Sequence, residues 1–297
     1  MKILLLGKDG QVGWELQRTL APLGELIAHD RHSCDLADPK ALQAAVRSAQ
    51  FDALVNAAAY NAVDRAESEP ELATNINGRA PGLLAEEARR SGAILVHFST
   101  DFVFDGEKEA PYNEGDPPNP LSAYGRSKRA GELAVLDSEA DALVLRTSWV
   151  YSLRRDSFVT KVLAWSRRSS ELRIVTDQVG SPTSARMLAE VTAQLLGKGA
   201  AAGPDWLRQR AGLYHLGGDG AVSRYNWARA ILAHDPRKDQ QLTKAVRPAS
   251  TMDFPVPAIR PRYSALDCSK FARVFGLGLP PWEHALRLEM ETGGVAA

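Results

Sequence analysis

The chain has 297 residues, 36 basic and 36 acidic side chains and 44% hydrophobic content, enough for one large core or two linked domains and without the basic footprint that would suit nucleic acid or an anionic membrane. Its two cysteines, Cys34 and Cys268, lie far apart without Cys-x-x-Cys spacing, which argues against a disulfide scaffold or a structural zinc site and fits a reducing cytoplasm. No stretch is long and apolar enough to read as a membrane span, and the apolar start is too short for a signal peptide.

Residues 2–6 read as a short buried strand that runs into Gly7-Lys8-Asp9-Gly10-Gln11-Val12-Gly13 and a helix over 14–20. A G-x-x-G-x-x-G between strand and helix suits a dinucleotide: Gly7 permits the tight turn, Gly10 lets backbone approach a pyrophosphate, and Gly13 lets the helix pack on the strand. The helix N-terminus then offers amides to the phosphates, with Gln11 and Val12 among the cofactor contacts. An ordinary strand-turn-helix would use glycines the same way; the strand ends farther along the chain decide between the two readings.

Residues 25–31 read as a second strand ending in Asp30, about 20 residues beyond the glycine loop, where a Rossmann fold places a carboxylate on the adenosine ribose. Asp30 argues for NADH, whereas Arg31 could pair with the 2′-phosphate of NADPH. A loop follows, with Asp35 and Leu36 expected beside the adenine, and leads into a helix over 40–49 with Asp38 as N-cap and Pro39 at its first position. The next strand, within 52–61, ends in Ala57, Ala58 and Ala59 before Tyr60 and Asn61. Small residues there leave room for a cofactor, or equally for tight helix–sheet packing.

A fourth strand, 93–98, carries Phe98 as a cofactor contact and ends in Ser99-Thr100-Asp101, hydroxyls that a parallel strand points toward the ligand crevice. His97, inside that apolar run, reads as a satisfied core histidine. The prolines at 111, 117, 118 and 120 make a loop at the crevice rim. In Ser122-Ala123-Tyr124-Gly125-Arg126-Ser127-Lys128, four-residue spacing puts a phenol and an ammonium on one helix face, and a nearby cation favours the phenolate. Any solvated helix face could carry that pair; its company makes it informative.

Helices are expected over 79–91 and 127–136 and a strand over 142–145, so the fold class is α/β, a doubly wound parallel Rossmann-type sheet. Residues 1–150 are expected to form the dinucleotide-binding domain and 151–297 a smaller substrate-binding region, some of whose segments return to the sheet. Beyond Tyr151, helices are expected over 156–166 and 185–196 and strands over 173–176 and 213–216; 197–203 (GKGAAAG) reads as a flexible surface loop and 246–261 as irregular.

Taken together, GKDGQVGWEL (7–16), NAAAYNAVDRAE (56–67), STDFVFDG (99–106), YGRSKRAGE (124–132), RTSWVY (146–151) and DQVGSPT (177–183) resemble the extended short-chain dehydrogenase/reductase family, over essentially the whole chain. The narrower likeness is to its reductases of dTDP-4-dehydro-sugars. That resemblance implies NADPH or NADH as cofactor and conversion of the 4-keto group of dTDP-4-dehydro-β-L-rhamnose to the alcohol of dTDP-L-rhamnose. Tyr124 would be the proton donor, Lys128 would lower its pKa and hold the nicotinamide ribose, and Thr100 would orient the carbonyl. Asp101 and Trp149 would line the sugar.

Two departures from relatives matter. Phe102 follows Asp101 where dehydratases of the family have Glu, so water elimination loses its second carboxylate. Asn61 stands where the reductases commonly have Thr. An epimerase, or a non-catalytic NADP-binding regulatory subunit, is the alternative. Glu15 and Glu190 match in character a metal pair of some relatives, but read as surface charge, so no metal is expected; a homodimer is the expected assembly.

Overall fold

A computed structural model of the protein describes residues 1–203 and 205–293. The first half alternates strand and helix: β1 (Lys2–Leu6), α1 (Gln11–Leu20), β2 (Glu25–His29), α2 (Pro39–Ala49), β3 (Ala53–Asn56), α3 (Pro70–Thr74), α4 (Ala80–Ser91), β4 (Ile94–Thr100), α5 (Ala123–Leu136) and β5 (Ala142–Thr147). The second half contributes β6 (Val150–Tyr151), α6 (Phe158–Ser166), β7 (Glu171–Val175), β8 (Val179–Gly180), β9 (Thr183–Ser184), α7 (Ala185–Ala202), α8 (Asp205–Arg208), β10 (Gly212–His215), β11 (Val222–Ser223), α9 (Arg224–His234), β12 (Ala245–Ala249), α10 (Ser269–Phe275) and α11 (Trp282–Gly293).

Six strands make one parallel sheet in the order β10-β5-β4-β3-β1-β2. The doubly wound parallel sheet expected from the sequence is therefore present, and β10, from residues 212–215, closes one edge of it. Both faces are covered, which is why β1 reads as an unbroken apolar run. Ile3 and Leu5 pack toward Leu16 of α1, Leu188 of α7 and Phe271 of α10, whereas Leu4 and Leu6 pack toward Leu42 of α2 and Leu84 of α4. The order of successive strands reverses at β1, with β2 on one side of it and β3 on the other, so the crevice must open beyond the carboxyl ends of β1 and β3.

A second core lies beyond the sheet, where Tyr151, Val159, Val162, Ile174, Trp227, Ile231 and Leu286 pack together. The short pair β7 and β12, parallel over residues 171–175 and 245–249, backs it.

Local signals explain most element starts. Asp38 accepts from the amides of Lys40 and Ala41 at 3.0 and 3.1 Å, with Pro39 first in the helix, and Ser157, Ser184 and Ser223 cap α6, α7 and α9. Four expectations need correction. The 197–203 segment is not a loop: α7 continues through it to Ala202, because Gly199 gives Leu207 a seat that a Cβ, 2.4 Å from its side chain, would fill. Residues 245–249 form β12 rather than irregular chain, completing a parallel pair with β7. Helix α1 begins at Gln11, directly on the glycine loop, and α5 begins at Ala123 because Ser122 caps it, accepting from the Gly125 amide at 3.1 Å. The helical stretch over 70–79 ahead of α4 was not expected; its proline start was the available signal.

Candidate active site

The crevice has two adjoining lobes that share Gly10, Ala57, Ala58, Ala59 and Asn61. The first is lined by Gly7, Asp30, Arg31, Asp35, Leu36 and Tyr60, the second by Gln11, Val12, Phe98, Thr100, Asp101, Tyr124, Lys128 and Trp149. Every residue expected at the cofactor or substrate thus borders one lobe except Gly13. It lies behind the loop: a Cβ at Gly13 would meet the Gly7 carbonyl oxygen at 2.0 Å, so its hydrogen lets α1 close onto the turn. Gly7 itself has φ +84°, a conformation that favours glycine, and a Cβ there would fall 2.7 Å from the Ala58 amide nitrogen.

Two features suit the crevice to a dinucleotide. The first turn of α1 has no side-chain cap to satisfy its amides, and its first residues, Gln11 and Val12, line the second lobe. Two buried oxygens, Gln11 Oε1 and Thr147 Oγ1, belong to residues lining the second lobe and find no partner among the described residues. Buried polar atoms are normally paired, so they fit a polar ligand.

In the first lobe, Asp30 accepts from the Ser33 amide and hydroxyl, each at 2.9 Å, and lies 3.2 Å from Lys8 Nζ. Those hydrogen bonds, with the Lys8 charge, hold its carboxyl far below the usual range. Arg31 extends into solvent, 3.6 Å from Asp35, and Tyr60 turns its hydroxyl away to Glu69 at 2.6 Å.

In the second lobe, Tyr124 and Lys128 project from α5 beneath the end of β4. Their expected electrostatics need correcting. Burial, with the Asp101 charge adding to it, pushes the Tyr124 phenol up to about 12, against a smaller opposite effect of its hydrogen bond with Thr100. Lys128 does not pull the phenol down, because burial lowers its own pKa to about 8 and its ammonium donates to the Phe98 carbonyl at 2.6 Å. Spacing put the pair on one helix face but could not reveal that both are buried. His97, on the face of β4 that meets α5 and feeling the Lys128 charge, is buried as expected, with Nδ1 3.1 Å from Asn56 Nδ2; among the described residues its Nε2 has no partner, so it is only half satisfied.

Asp101 is 2% exposed, and its carboxylate accepts from Thr100 at 3.1 Å, Ser148 at 2.9 Å and Ser264 at 2.5 Å. Burial raises its pKa, opposed by those three hydroxyls and by Arg224. Trp149 holds φ +45°, uncommon for a bulky residue, and its indole lies against Gly180, where a Cβ would meet the ring at 2.5 Å. The DQVGSPT stretch thus makes room for a tryptophan in the cleft wall.

The Arg224 guanidinium stacks on Trp149, 3.5 Å from the ring centroid. Burial lowers its pKa to about 9, opposed by the Asp101 charge, and among the described residues its guanidinium makes no ion pair or hydrogen bond. Arg260, paired with Asp64 at 2.8 Å, borders the same lobe. Both arginines also line a third cleft, with Phe158, Trp165 and Phe254. Sequence reasoning missed the two arginines, since neither sits in a local pattern and only tertiary packing brings them to the crevice.

The family model described as RmlD substrate binding domain matches residues 1–293. The chain belongs to that family. The dTDP-4-dehydrorhamnose reductase of Burkholderia thailandensis is 42% identical over 297 residues, covering 97% of each chain. Among solved structures, a dTDP-4-dehydrorhamnose reductase of Clostridium acetobutylicum superposes with a TM-score of 0.90 at 33% identity, covering 99% of this chain and 100% of its own. The Bacillus anthracis reductase, solved in complex with NADP, gives a TM-score of 0.88 at 30% identity over 98% of this chain and 99% of its own. Membership in the RmlD family fits the STDFVFDG and RTSWVY stretches, which build the ends of β4 and β5 at the crevice. No helix among the described residues is long and apolar enough to cross a membrane.

Proposed function

We propose that the protein reduces the 4-keto group of dTDP-4-dehydro-β-L-rhamnose to the alcohol of dTDP-L-rhamnose, with NADPH or NADH as cofactor. The observation that carries this reading is the convergence of Thr100, Tyr124 and Lys128 on a lobe that adjoins the glycine loop, in a chain whose Burkholderia thailandensis relative is a dTDP-4-dehydrorhamnose reductase.

When bound, the reduced nicotinamide supplies the hydride for the carbonyl carbon. The loop from Gly7 to Gly13 and the end of β3 hold the pyrophosphate, Asp30 and Arg31 meet the ribose end, and Asp35 and Leu36 border the adenine. Tyr124 gives its proton to the developing alkoxide; its raised pKa keeps that proton on the phenol at neutral pH until the reaction calls for it. Lys128 adds positive charge one helical turn away. Thr100 orients the carbonyl, and Trp149 walls the sugar. Arg224 and Arg260 offer two guanidiniums to the diphosphate, and the cleft beyond them, with Phe158 and Trp165, offers apolar surface to the base.

Reduction rather than dehydration is favoured because Phe102 supplies no carboxylate and both Asp101 oxygens are engaged by hydroxyls. In this reading residues 1–150 hold the cofactor and 151–297 the sugar nucleotide, with 212–215 returning to the sheet. A cytoplasmic homodimer completes it, supported by two free cysteines and by the frequency of two-fold dimers among soluble proteins. The test is to incubate the purified protein with dTDP-4-dehydro-β-L-rhamnose and NADPH. Chromatographically identified dTDP-L-rhamnose is expected; tight NADPH binding without any product would favour the regulatory-subunit alternative.

A further inference from the structure

Of the hydroxyls at the carboxyl ends of β4 and β5, three are committed inside the protein and one is not. Ser99 donates to Glu132 at 2.7 Å, Thr100 to Asp101 at 3.1 Å and Ser148 to Asp101 at 2.9 Å. Thr147, 8% exposed, lines the second lobe, yet its buried Oγ1 has no partner among the described residues. A buried hydroxyl left unpaired costs stability that a valine of the same shape would not. Threonine at this position therefore calls for a partner from outside the chain.

The surroundings of Thr147 select that partner. Thr147 is the register partner of Thr100 on the neighbouring strand, about 4.8 Å away across the sheet. Side chains alternate along a strand, so Thr147 follows Leu143 and Leu145 on the face where Leu16 of α1 packs. Phe98, Val12 and Val150 border the same apolar cluster and also line the second lobe. They make an apolar bed beside one free hydroxyl. A sugar, with hydroxyls on several carbons, suits such a bed poorly. A nicotinamide ring suits it well, being flat and apolar except for its carboxamide. That carboxamide sits on the ring carbon next to the one that gives up hydride, so its partner must stand beside the group that orients the carbonyl. Thr147 stands beside Thr100.

We propose that the Thr147 hydroxyl is the hydrogen-bond partner of the nicotinamide carboxamide, and that this contact fixes which face of the ring is turned to the sugar. The inference rests on the reading of the crevice as an NADPH-dependent reductase site, but the contact is one of binding and can be measured without turnover.

Thr147→Val removes the hydroxyl and keeps the shape, and Thr147→Ser puts the hydroxyl back. The ligand 2′-phospho-ADP-ribose carries the hydrogen-bonding groups of NADPH except the carboxamide, so the pair of ligands isolates that one group. Isothermal titration of wild type and both variants with each ligand is the experiment, with thermal melting of the three ligand-free proteins beside it. Thr147→Val is expected to weaken NADPH binding roughly tenfold and to leave 2′-phospho-ADP-ribose binding within about twofold of wild type. Thr147→Ser should recover most of the NADPH loss, and ligand-free Thr147→Val should melt no lower than wild type, since it gives up no bond.

Unchanged NADPH affinity in Thr147→Val, or equal losses for the two ligands, would overturn the proposal. So would a serine variant no better than valine, or a ligand-free valine variant that melts well below wild type, which would show the hydroxyl paired in the resting protein. A loss confined to dTDP-L-rhamnose binding would give Thr147 to the sugar and overturn it as well. Should the expected pattern appear in a protein that makes no dTDP-L-rhamnose, the carboxamide contact stands and the reductase reading fails alone.

Discussion

Glu132 lies one helical turn beyond Lys128 on α5 and grips Arg146 of β5 through two hydrogen bonds of 2.7 Å, with the side chains 0% and 1% exposed. Ser99 adds a third contact to the same carboxylate at 2.7 Å, and Arg129 a fourth at 2.9 Å. This buried pair sits directly behind the proposed site. Through Ser99 it ties the helix bearing Tyr124 and Lys128 to the strand ending in Thr100.

Removing one partner should therefore be costly, because the other is left charged inside the protein. Arg146→Met is expected to destabilise the fold by about 3–5 kcal/mol, toward the lower end because Arg129 still reaches Glu132. Glu132→Leu combined with Arg146→Met should cost less than Arg146→Met alone. Urea unfolding measures both, and a double variant less stable than the single one would contradict the account.

Tyr124→Phe keeps the ring and loses the donor. Turnover should fall by roughly 10²–10⁴-fold while the dissociation constant for NADPH stays nearly unchanged. Near-wild-type kcat with chemistry limiting would remove Tyr124 from the role of acid.

Cofactor choice should depend on Arg31 only modestly, since its side chain is 74% exposed. Arg31→Ala is expected to weaken NADPH binding by no more than about 1 kcal/mol and to leave NADH binding unchanged. Isothermal titration with both cofactors decides it; equal losses would show that Arg31 does not meet the 2′-phosphate.

Lys128 makes a prediction about stability. Burial lowers its pKa from 10.5 to about 8, so between those values the unfolded chain holds a proton that the native protein has released. Native stability then rises with pH across that window, while below about pH 8 the full cost of burying the ammonium is present. The stability difference between wild type and Lys128→Met should grow in favour of wild type from pH 8 to 10.5, by a few kcal/mol at most. A flat difference in denaturant titrations would show that the ammonium is not destabilised in the native protein.

How much of the fold and site was legible in the sequence depends on how local each signal is. The parallel sheet announced itself because doubly covered strands such as Ile3 to Leu6 are continuous apolar runs, and the glycine loop because Gly7 and Gly13 occupy positions where a Cβ would collide. The Tyr124 and Lys128 pair was legible as spacing, but not in its electrostatics, which depend on burial by distant segments. Arg224 and Arg260 carry no local mark; Arg224 reaches the crevice by stacking on Trp149, Arg260 by pairing with Asp64, about 200 residues earlier in the chain. GKGAAAG looked like a loop because glycine disfavours helix, yet packing against Leu207 outweighs that preference at Gly199.

The central claim is that hydride leaves on the product, and cofactor stoichiometry tests it most directly. With dTDP-4-dehydro-β-L-rhamnose in limiting amount and NADPH in excess, the account predicts one reduced cofactor consumed for each sugar converted and oxidised cofactor released in every cycle. Product formed from a dTDP-sugar with catalytic NAD⁺ and no net consumption of cofactor would contradict it and point to an epimerase.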